Sequence, residues 1–478
     1  MAPPFLAEVR AIWTEVLQLA EVDAETHFFS AGGDSLAAID MVAKLTAAGV
    51  PASLAELYEN PRAGGYAAAL ETVTPEASLN DIGDLVSEAQ LERLLQEQRV
   101  RSFGGMLPRF VMTRILPGRI DPAVLRTAVR ATVEAHPLLR ACFVKSGGVW
   151  RVRHLPSSDV PVIQRMVADL DAAIAAEAGT DLDLWRPPLF RVICFESPDG
   201  DGAVVLRLHH LLGDDLSMRL VAREIFDRCR GKSVPERGEG TFTHLLSTEQ
   251  SHLTGPSGEQ RLSYWREILG GSAVRGVLPG FPDRPERPSY QAATATCDAP
   301  LPLGPAARAL GTTPTLVLAG ALALHLRRSH GSAPVLQLCY ANRDGTGAHE
   351  AVGPFFDALP LAPALDGAVD PGMVFEAVNR AWSGALRHRI PSAALIRALQ
   401  PDAYAQVPMA PFVLLNVLES RQIGPEQTVP HDVAFPGLTF EAGEKKLHLR
   451  YEEDWLPSVL AVDLLDGWSR MLTWAAGG

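Results

Sequence analysis

Cysteine is scarce: Cys142, Cys194, Cys229, Cys297 and Cys339 are the only five in a chain of 478 residues. The number is odd, the spacings are wide and no C-x-x-C pair occurs. A disulfide framework and a zinc cluster are therefore not expected, and the thiols read as reduced and buried. Basic charge is also short, with 43 Lys and Arg against 56 Asp and Glu. That balance argues against nucleic acid as the main partner, because neutralising phosphates needs a basic face. No apolar run reaches the ~18 residues of a spanning helix, so no membrane partner is expected. The opening MAPPFLAEVRAIW lacks a basic segment followed by an apolar core. No secretory signal is expected, and the location is expected to be cytoplasmic. Internal repeats and low-complexity segments are missing too.

The length fits two to four domains of ordinary size. Charge is uneven along it: residues 1–70 hold nine acids against Arg10, Lys44 and Arg62. Such a small acidic unit suits docking on a basic surface, and equally suits a merely solvated one. Phe5, Val9, Ile12, Trp13, Val16 and Leu17 recur at helical spacing. Residues 35–48 predict a second helix, 53–60 a short third stopped by Pro61, and GGYAAALETV a fourth. Together they predict a small four-helix bundle over 1–71. Residues 72–84, TVTPEASLNDIGD, have no periodicity and read as a linker. Beyond it strands and helices mix. RFVMTRILPG alternates like a strand, Asp121-Pro122 reads as a helix start, and Val124, Leu125, Ala128, Val129 and Val133 make that helix's apolar stripe. LFRVICFE and AVVLRLHHL predict a strand pair. Nearly four hundred residues exceed one core, so two α/β lobes are expected, divided near 258/259.

Two stretches carry chemistry. In FFSAGGDSL, Gly32-Gly33 make a loop suited to positive φ, Asp34 lies in the N-cap region and Ser35 begins the next helix. A hydroxyl there faces the positive end of the helix dipole, which suits a phosphodiester, although a plain capping role fits as well. In LRLHHLLGDD, two-residue alternation puts Leu206, Leu208 and His210 on one strand face and Val205, Arg207 and His209 on the other. His210 then shares a face with apolar residues, either satisfied structurally or placed for work. H-H-x-x-x-D is a poor zinc spacing, and no metal is expected.

The first seventy residues, with IWTEVLQL, FFSAGGDSL and LYENPRAGGYAAAL, resemble the peptidyl carrier proteins of nonribosomal peptide synthetases. Ala31 replaces the family's usual leucine. The resemblance implies that Ser35 carries 4′-phosphopantetheine, whose thiol holds an acyl thioester. The remainder resembles a condensation domain of the same assembly lines. LVSEAQLERLL looks like its opening motif and VEAHPLLRACF like R-H-E-x-L-R-T-x-F. HHLLGDDLS looks like H-H-x-x-x-D-G-x-S, and ANRDG followed by AVGPFFDALPL looks like the segment ending I-G-x-F-V-N-T-x-P. RHRIPSAAL falls where a Q-x-Y-P-F-E motif belongs. The implied fold is a V-shaped pair of lobes, each related to chloramphenicol acetyltransferase, with a tunnel between them.

By that resemblance His210 is the active-site histidine, a base or a positioning group, and His209 is structural. Asp214 holds the loop through a buried arginine, with Arg343 the expected partner and Arg140 the second. The implied reaction joins the donor thioester on Ser35's arm to the amine of a downstream acceptor carrier or a soluble amine. The implied partners are a phosphopantetheinyl transferase and an upstream adenylation domain or module. The chain is expected to be an excised fragment or a small stand-alone unit. The pattern breaks where Asp215 replaces glycine, where Asp357 replaces asparagine, and at Ala135-His136-Pro137. Asp215 is expected to line the acceptor entrance and attract a cationic acceptor. The doubled aspartate also resembles condensation-like domains that recruit oxygenases to the carrier. An epimerisation domain is a further alternative, through DLSMRL.

Overall fold

The structure, a computed structural model, describes residues 3–72, 85–102, 111–234, 241–272, 274, 280–299, 303–331, 335–343, 348–368, 370–405, 410–417, 427–428, 437–443 and 445–477. The expected linker at 72–84 lies outside them except for Thr72, and the side chain of Ser35 lies outside them as well.

Helices α1 (Leu6–Val16), α2 (Ser35–Ala47), α3 (Leu54–Glu59) and α4 (Ala63–Ala69) form the N-terminal bundle. The stripe read from the sequence is its core: Val9 and Trp13 are buried, and Trp13 meets the Phe28 ring edge-on at 4.9 Å between centroids. Phe29 stacks on Tyr58 at 4.9 Å. Such aromatic pairs contribute beyond their buried area.

The next part holds α5 (Glu88–Ser102), β1 (Val111–Pro117), α6 (Pro122–Ala135), β2 (Ala141–Ser146), β3 (Val149–His154), β4 (Val162–Met166), α7 (Leu170–Ala178), β5 (Phe190–Glu196), β6 (Gly202–His209), α8 (Asp215–Cys229), α9 (Thr241–Leu253) and α10 (Gly255–Leu269). Asp121 caps α6 by accepting from the amides of Ala123 and Val124, and Pro122 occupies the first turn, where a missing N–H is harmless. Val124, expected in the buried stripe, is instead 43% exposed, while Leu125, Ala128, Val129 and Val133 are buried.

The last part holds β7 (Ala292–Asp298), α11 (Leu303–Ala309), α12 (Pro314–His330), β8 (Leu336–Tyr340), β9 (Asp357–Leu361), α13 (Pro371–Arg387), α14 (Ser392–Leu399), α15 (Pro401–Ala405), β10 (Phe412–Val417), β11 (Gln427–Thr428), β12 (Gly437–Ala442), β13 (Lys446–Glu452) and α16 (Ser458–Ala475). Two large sheets result, ordered β11-β1-β6-β5-β4 and β7-β13-β12-β10-β8-β9. The two-lobed α/β expectation holds, with two departures. Helix α10 runs through the division expected at 258/259. Strand β11, from the C-terminal half, pairs antiparallel with β1 of the other lobe. The lobes are therefore tied by backbone as well as by side chains.

Strand β6 lies inside its sheet, and all eight of its residues are buried. Leu206 and Leu208 pack into the main core of that lobe, while Val205 joins a smaller cluster on the other face. A central strand covered on both faces makes a rigid support for whatever follows it.

The bundle rests on the C-terminal lobe. Arg387 of α13 reaches Glu56 at 2.7 Å and also Glu59. Ser383 Oγ donates to Ala55 O at 3.0 Å, and Ser30 Oγ donates to Arg308 O at 3.1 Å. The acidic surface read from the sequence thus meets a basic residue. Among the described residues no single helix is long and apolar enough to cross a membrane.

Candidate functional site

Strand β6 stops at His209, opposite Val111 of β1, and the chain turns at once, with Leu212 N donating to His209 O at 2.9 Å. Alternation therefore ends one residue too early to place His210 on the face of Leu206 and Leu208. His209 is the more buried of the two, 2% exposed. Its Nδ1 accepts from Leu211 N at 3.2 Å. Burial, helped by Arg93 and His210, holds its pKa well below the usual histidine value, so it stays neutral with Nδ1 unprotonated. His210 is half-buried, and its ring lies 6.2 Å from that of Phe356. Burial also lowers the pKa of His210, while Asp214 and Asp215 push it back up. A neutral imidazole beside an open surface can accept a proton or a hydrogen bond at neutral pH.

The far end of the turn is Asp214, the N-cap of α8, which accepts from Ser217 N at 2.8 Å. Arg343 approaches it sideways, with Nη2 2.6 Å from Oδ1 and Nε 3.2 Å from Oδ2. The guanidinium also donates to Ala351 O at 2.8 Å and lies 4.2 Å from the centroid of the Phe355 ring. Both side chains are almost wholly buried. Ser217 Oγ accepts from Gly353 N at 3.0 Å and closes the network. Arg140 is elsewhere, donating to Leu155 O at 2.8 Å. The segment 351–357 from the second lobe is thus laid against the histidine turn of the first.

Asp215 departs from its expected role. Its carboxylate pairs with Arg114 of β1 and accepts from Arg219 Nε at 2.7 Å. Two guanidinium groups of the same chain already neutralise it, so it offers no free charge to attract a cationic acceptor. The sequence hid this because Arg114 lies 101 residues away and on another element. Asp357, at the start of β9, accepts from Ser392 N at 3.0 Å and from Ser392 Oγ at 2.5 Å, which ties β9 to the start of α14. Burial pushes its carboxyl up to about 6.

Ser35 is the first residue of α2, and Asp34 caps that helix by accepting from Ala37 N at 2.8 Å. The loop before it needs both glycines. Gly32 has φ +107°, and a Cβ on Gly33 would stand 2.3 Å from the Phe28 ring. Gly32 and Asp34 are exposed, so the helix start is open to solvent. The position fits a phosphodiester: a hydroxyl residue opens a capped helix on an accessible loop.

The Condensation domain family matches residues 110–417, and the Phosphopantetheine attachment site family matches residues 7–70. The chain belongs to the condensation-domain family. Its N-terminal unit is a carrier domain, of the kind that bears 4′-phosphopantetheine. Malpinin synthetase of Mortierella alpina is 24% identical over 416 residues, 82% of this chain and 5% of its own length. A linear gramicidin synthase from Brevibacillus parabrevis is 26% identical over 389 residues, 75% of this chain and 5% of its own length. The chain therefore spans about a twentieth of these relatives. Among solved structures, the first condensation domain of the calcium-dependent antibiotic synthetase aligns with TM-score 0.63 and 22% identity, covering 82% of this chain and 96% of that one. The X-domain from teicoplanin biosynthesis aligns with TM-score 0.66 and 21% identity, covering 84% and 95%. These likenesses support the chloramphenicol-acetyltransferase-like architecture expected of the two lobes.

The condensation unit of this carrier–condensation pair therefore brings together His209, His210, Asp214, Asp215 and Arg343. Three neighbours went unread: Arg114 and Phe356, described above, and Gln90 of α5. Only Gln90 carried a local signal, because Ser87-Glu88-Ala89-Gln90 has the S-x-x-Q spacing of a reciprocal helix cap.

Proposed function

We infer that the chain forms an amide between an acyl group held as a thioester on the arm at Ser35 and the amine of an acceptor. The acceptor is a downstream carrier's aminoacyl group or a soluble amine. A phosphopantetheinyl transferase supplies the arm, and an upstream adenylation domain or module supplies the acyl group. Residues 1–71 act as the carrier, 72–84 as the linker, and the two lobes together as the catalyst.

The observation that carries this reading is the placement of His210: a half-buried imidazole, its pKa lowered by burial, on a turn held by the Asp214–Arg343 pair. An α-amino group has a pKa of about 7.7–8.0, so deprotonation to the nucleophilic form is cheap near neutral pH. The amine nitrogen adds to the thioester carbonyl and a C–N bond forms. As the tetrahedral intermediate collapses, the C–S bond breaks, and the arm's thiolate leaves and takes up the proton that the nitrogen loses. His210 accepts a hydrogen bond from the attacking N–H and relays or shelters that proton. Asp214 is not the base, because both of its oxygens are engaged by Arg343. Asp214, Arg343 and His209 support the loop.

One observation favours a second reading, a platform that presents the loaded carrier to a tailoring oxygenase. Asp215 stands where the family has glycine and is bridged to Arg114 and Arg219. A complex of the teicoplanin X-domain with OxyB shares this architecture at TM-score 0.65 and 21% identity. The two readings separate in one experiment. Load an aminoacyl group on Ser35, offer a panel of free and carrier-bound amines, and weigh the products intact. Amide product supports condensation. No product from any amine, together with tight binding of a tailoring oxygenase, overturns it in favour of the platform.

A further inference from the structure

Gln90 lies near the start of α5, far along the chain from the histidines, yet it is fully buried. Its two ends do different work. Ser87 N donates to Gln90 Oε1 at 2.9 Å, and Gln90 N donates to Ser87 Oγ at 3.2 Å, the reciprocal cap that the S-x-x-Q spacing announces. That leaves the amide nitrogen free for another acceptor, and Gln90 Nε2 donates to Leu211 O at 2.7 Å. Leu211 is the residue after His210. Its other peptide group is held as well, because Leu211 N donates to His209 Nδ1 at 3.2 Å. The peptides before and after the Leu211 Cα are each fixed by a buried side chain, one from β6 and one from α5.

We propose that Gln90 and His209 form a backbone clamp on Leu211, and that Gln90 is a positioning residue for His210. This rests on the condensation reading for its effect on rate, though the clamp itself is a matter of geometry. The turn from His209 to Asp214 has two pinned ends. Arg343 and Gly353 of the second lobe hold Asp214, the former at 2.6 Å and the latter by accepting from Asp214 N at 3.3 Å. The clamp holds the other end, directly beside the imidazole. Helix α5 is itself tied to the second lobe, by Arg397 to Glu88 at 2.8 Å, and to α9 by Glu249, which accepts from Glu88 N at 3.0 Å. The cap fixes the rotamer of Gln90, so its N–H points at the loop without further ordering cost. A misplacement of about 1 Å at a reacting group can cost on the order of a hundredfold in rate.

The test uses the full chain and the substitution Gln90→Glu. A carboxylate oxygen still accepts from Ser87 N, since S-x-x-E caps as well as S-x-x-Q, so the helix start survives. When the new carboxyl is ionised the donor to Leu211 O is lost, and an acceptor oxygen faces that carbonyl in its place. When it is protonated it regains an O–H for Leu211 O. The clamp therefore predicts that the ratio of the variant's rate to the parent's falls as pH rises through the new carboxyl's titration; the ratio cancels the titration of the acceptor amine and of Glu249, whose buried carboxyl accepts from Glu88 N and is pushed up to about 8. At high pH kcat should drop roughly ten- to a hundredfold, with the acceptor KM within about twofold; at low pH, where the new carboxyl is protonated, both kcat and the unfolding midpoint should match the parent's. A merely structural role would lower stability and leave no such pH limb. An unchanged pH profile and an unchanged kcat in a folded Gln90→Glu protein would overturn the proposal. A second readout separates this from failure of the condensation reading. The imidazole signals of His210, assigned by their loss in His210→Gln, should shift in Gln90→Glu even if the parent forms no amide. Unmoved signals would refute the clamp on their own.

Discussion

The start of α2 and the turn after β6 are the two places where chemistry is expected, and they are built in opposite ways. Around Ser35 the backbone is capped by Asp34 within its own loop, and its neighbours Gly32 and Asp34 are exposed. Around His210 three elements converge: α5 through Gln90, the second lobe through Arg343 and Gly353, and β6 itself. On the proposed function, one place is reached by a modifying enzyme and then travels. On the same reading, the other holds an imbalance of charge still while bonds change. Openness suits the first and over-determination suits the second.

Removing the hydroxyl at Ser35 should break the comparison completely. Ser35→Ala, treated with coenzyme A and a phosphopantetheinyl transferase, should show no mass gain, while the bundle keeps its helical content. A gain of the arm's mass by that variant would move the attachment elsewhere.

The loop should answer through stability. Asp214→Ala leaves Arg343 buried without its carboxylate, and breaking such a pair costs about 3–5 kcal/mol. Urea unfolding should report that loss alongside reduced activity. An unchanged midpoint would mean that the ion pair does not hold the turn.

Acid should act on the loop in a defined direction. Burial lowers the pKa of His210, so the neutral form persists below the ordinary histidine value of about 6.5. Single-turnover rates, corrected for the fraction of acceptor amine that is deprotonated at each pH, should stay flat as pH falls through 6.5 and decline only below it, as the imidazole takes up a proton. A decline centred above 6.5 would contradict the neutral, desolvated histidine.

The smallest effect is expected where the two regions are joined. Arg387 bridges Glu56 and Glu59, but it is 37% exposed, and half-exposed pairs contribute less than about 1 kcal/mol. Arg387→Ala should leave the unfolding midpoint nearly unchanged, yet loosen the carrier from α13, seen as faster amide exchange in α3. High salt should mimic it in the parent protein. No change in exchange would place the docking in the apolar contacts alone.

How much of this was legible follows the range of the interactions. The bundle, the Asp121 cap and the Asp34 cap depend on residues within four positions of one another, and periodicity exposed them. Arg343 was reachable only through the resemblance, because nothing local links it to Asp214, 129 residues earlier. Asp215 was misread for the same reason: its neutralising Arg114 sits on a strand whose neighbour the sequence does not name. Alternation failed at His210 because β6 ends at His209. The division expected near 258 falls inside α10, which runs unbroken from Gly255 to Leu269. Gly255, with φ +65°, lies at the start of α10, and Gly258 lies against Leu253 in its first turn. The Gln90 cap was legible, but its second hydrogen bond was not.

The central claim is that His210 acts on an acyl group delivered from Ser35. The most direct test is one single-turnover measurement of amide formation, comparing the acyl-loaded parent with acyl-loaded His210→Ala under saturating acceptor. A positioned proton acceptor contributes about 10²–10⁴-fold, so the variant should fold, load fully and form product at least a hundredfold more slowly. Parent-like product formation by a folded, fully loaded His210→Ala protein would contradict the account.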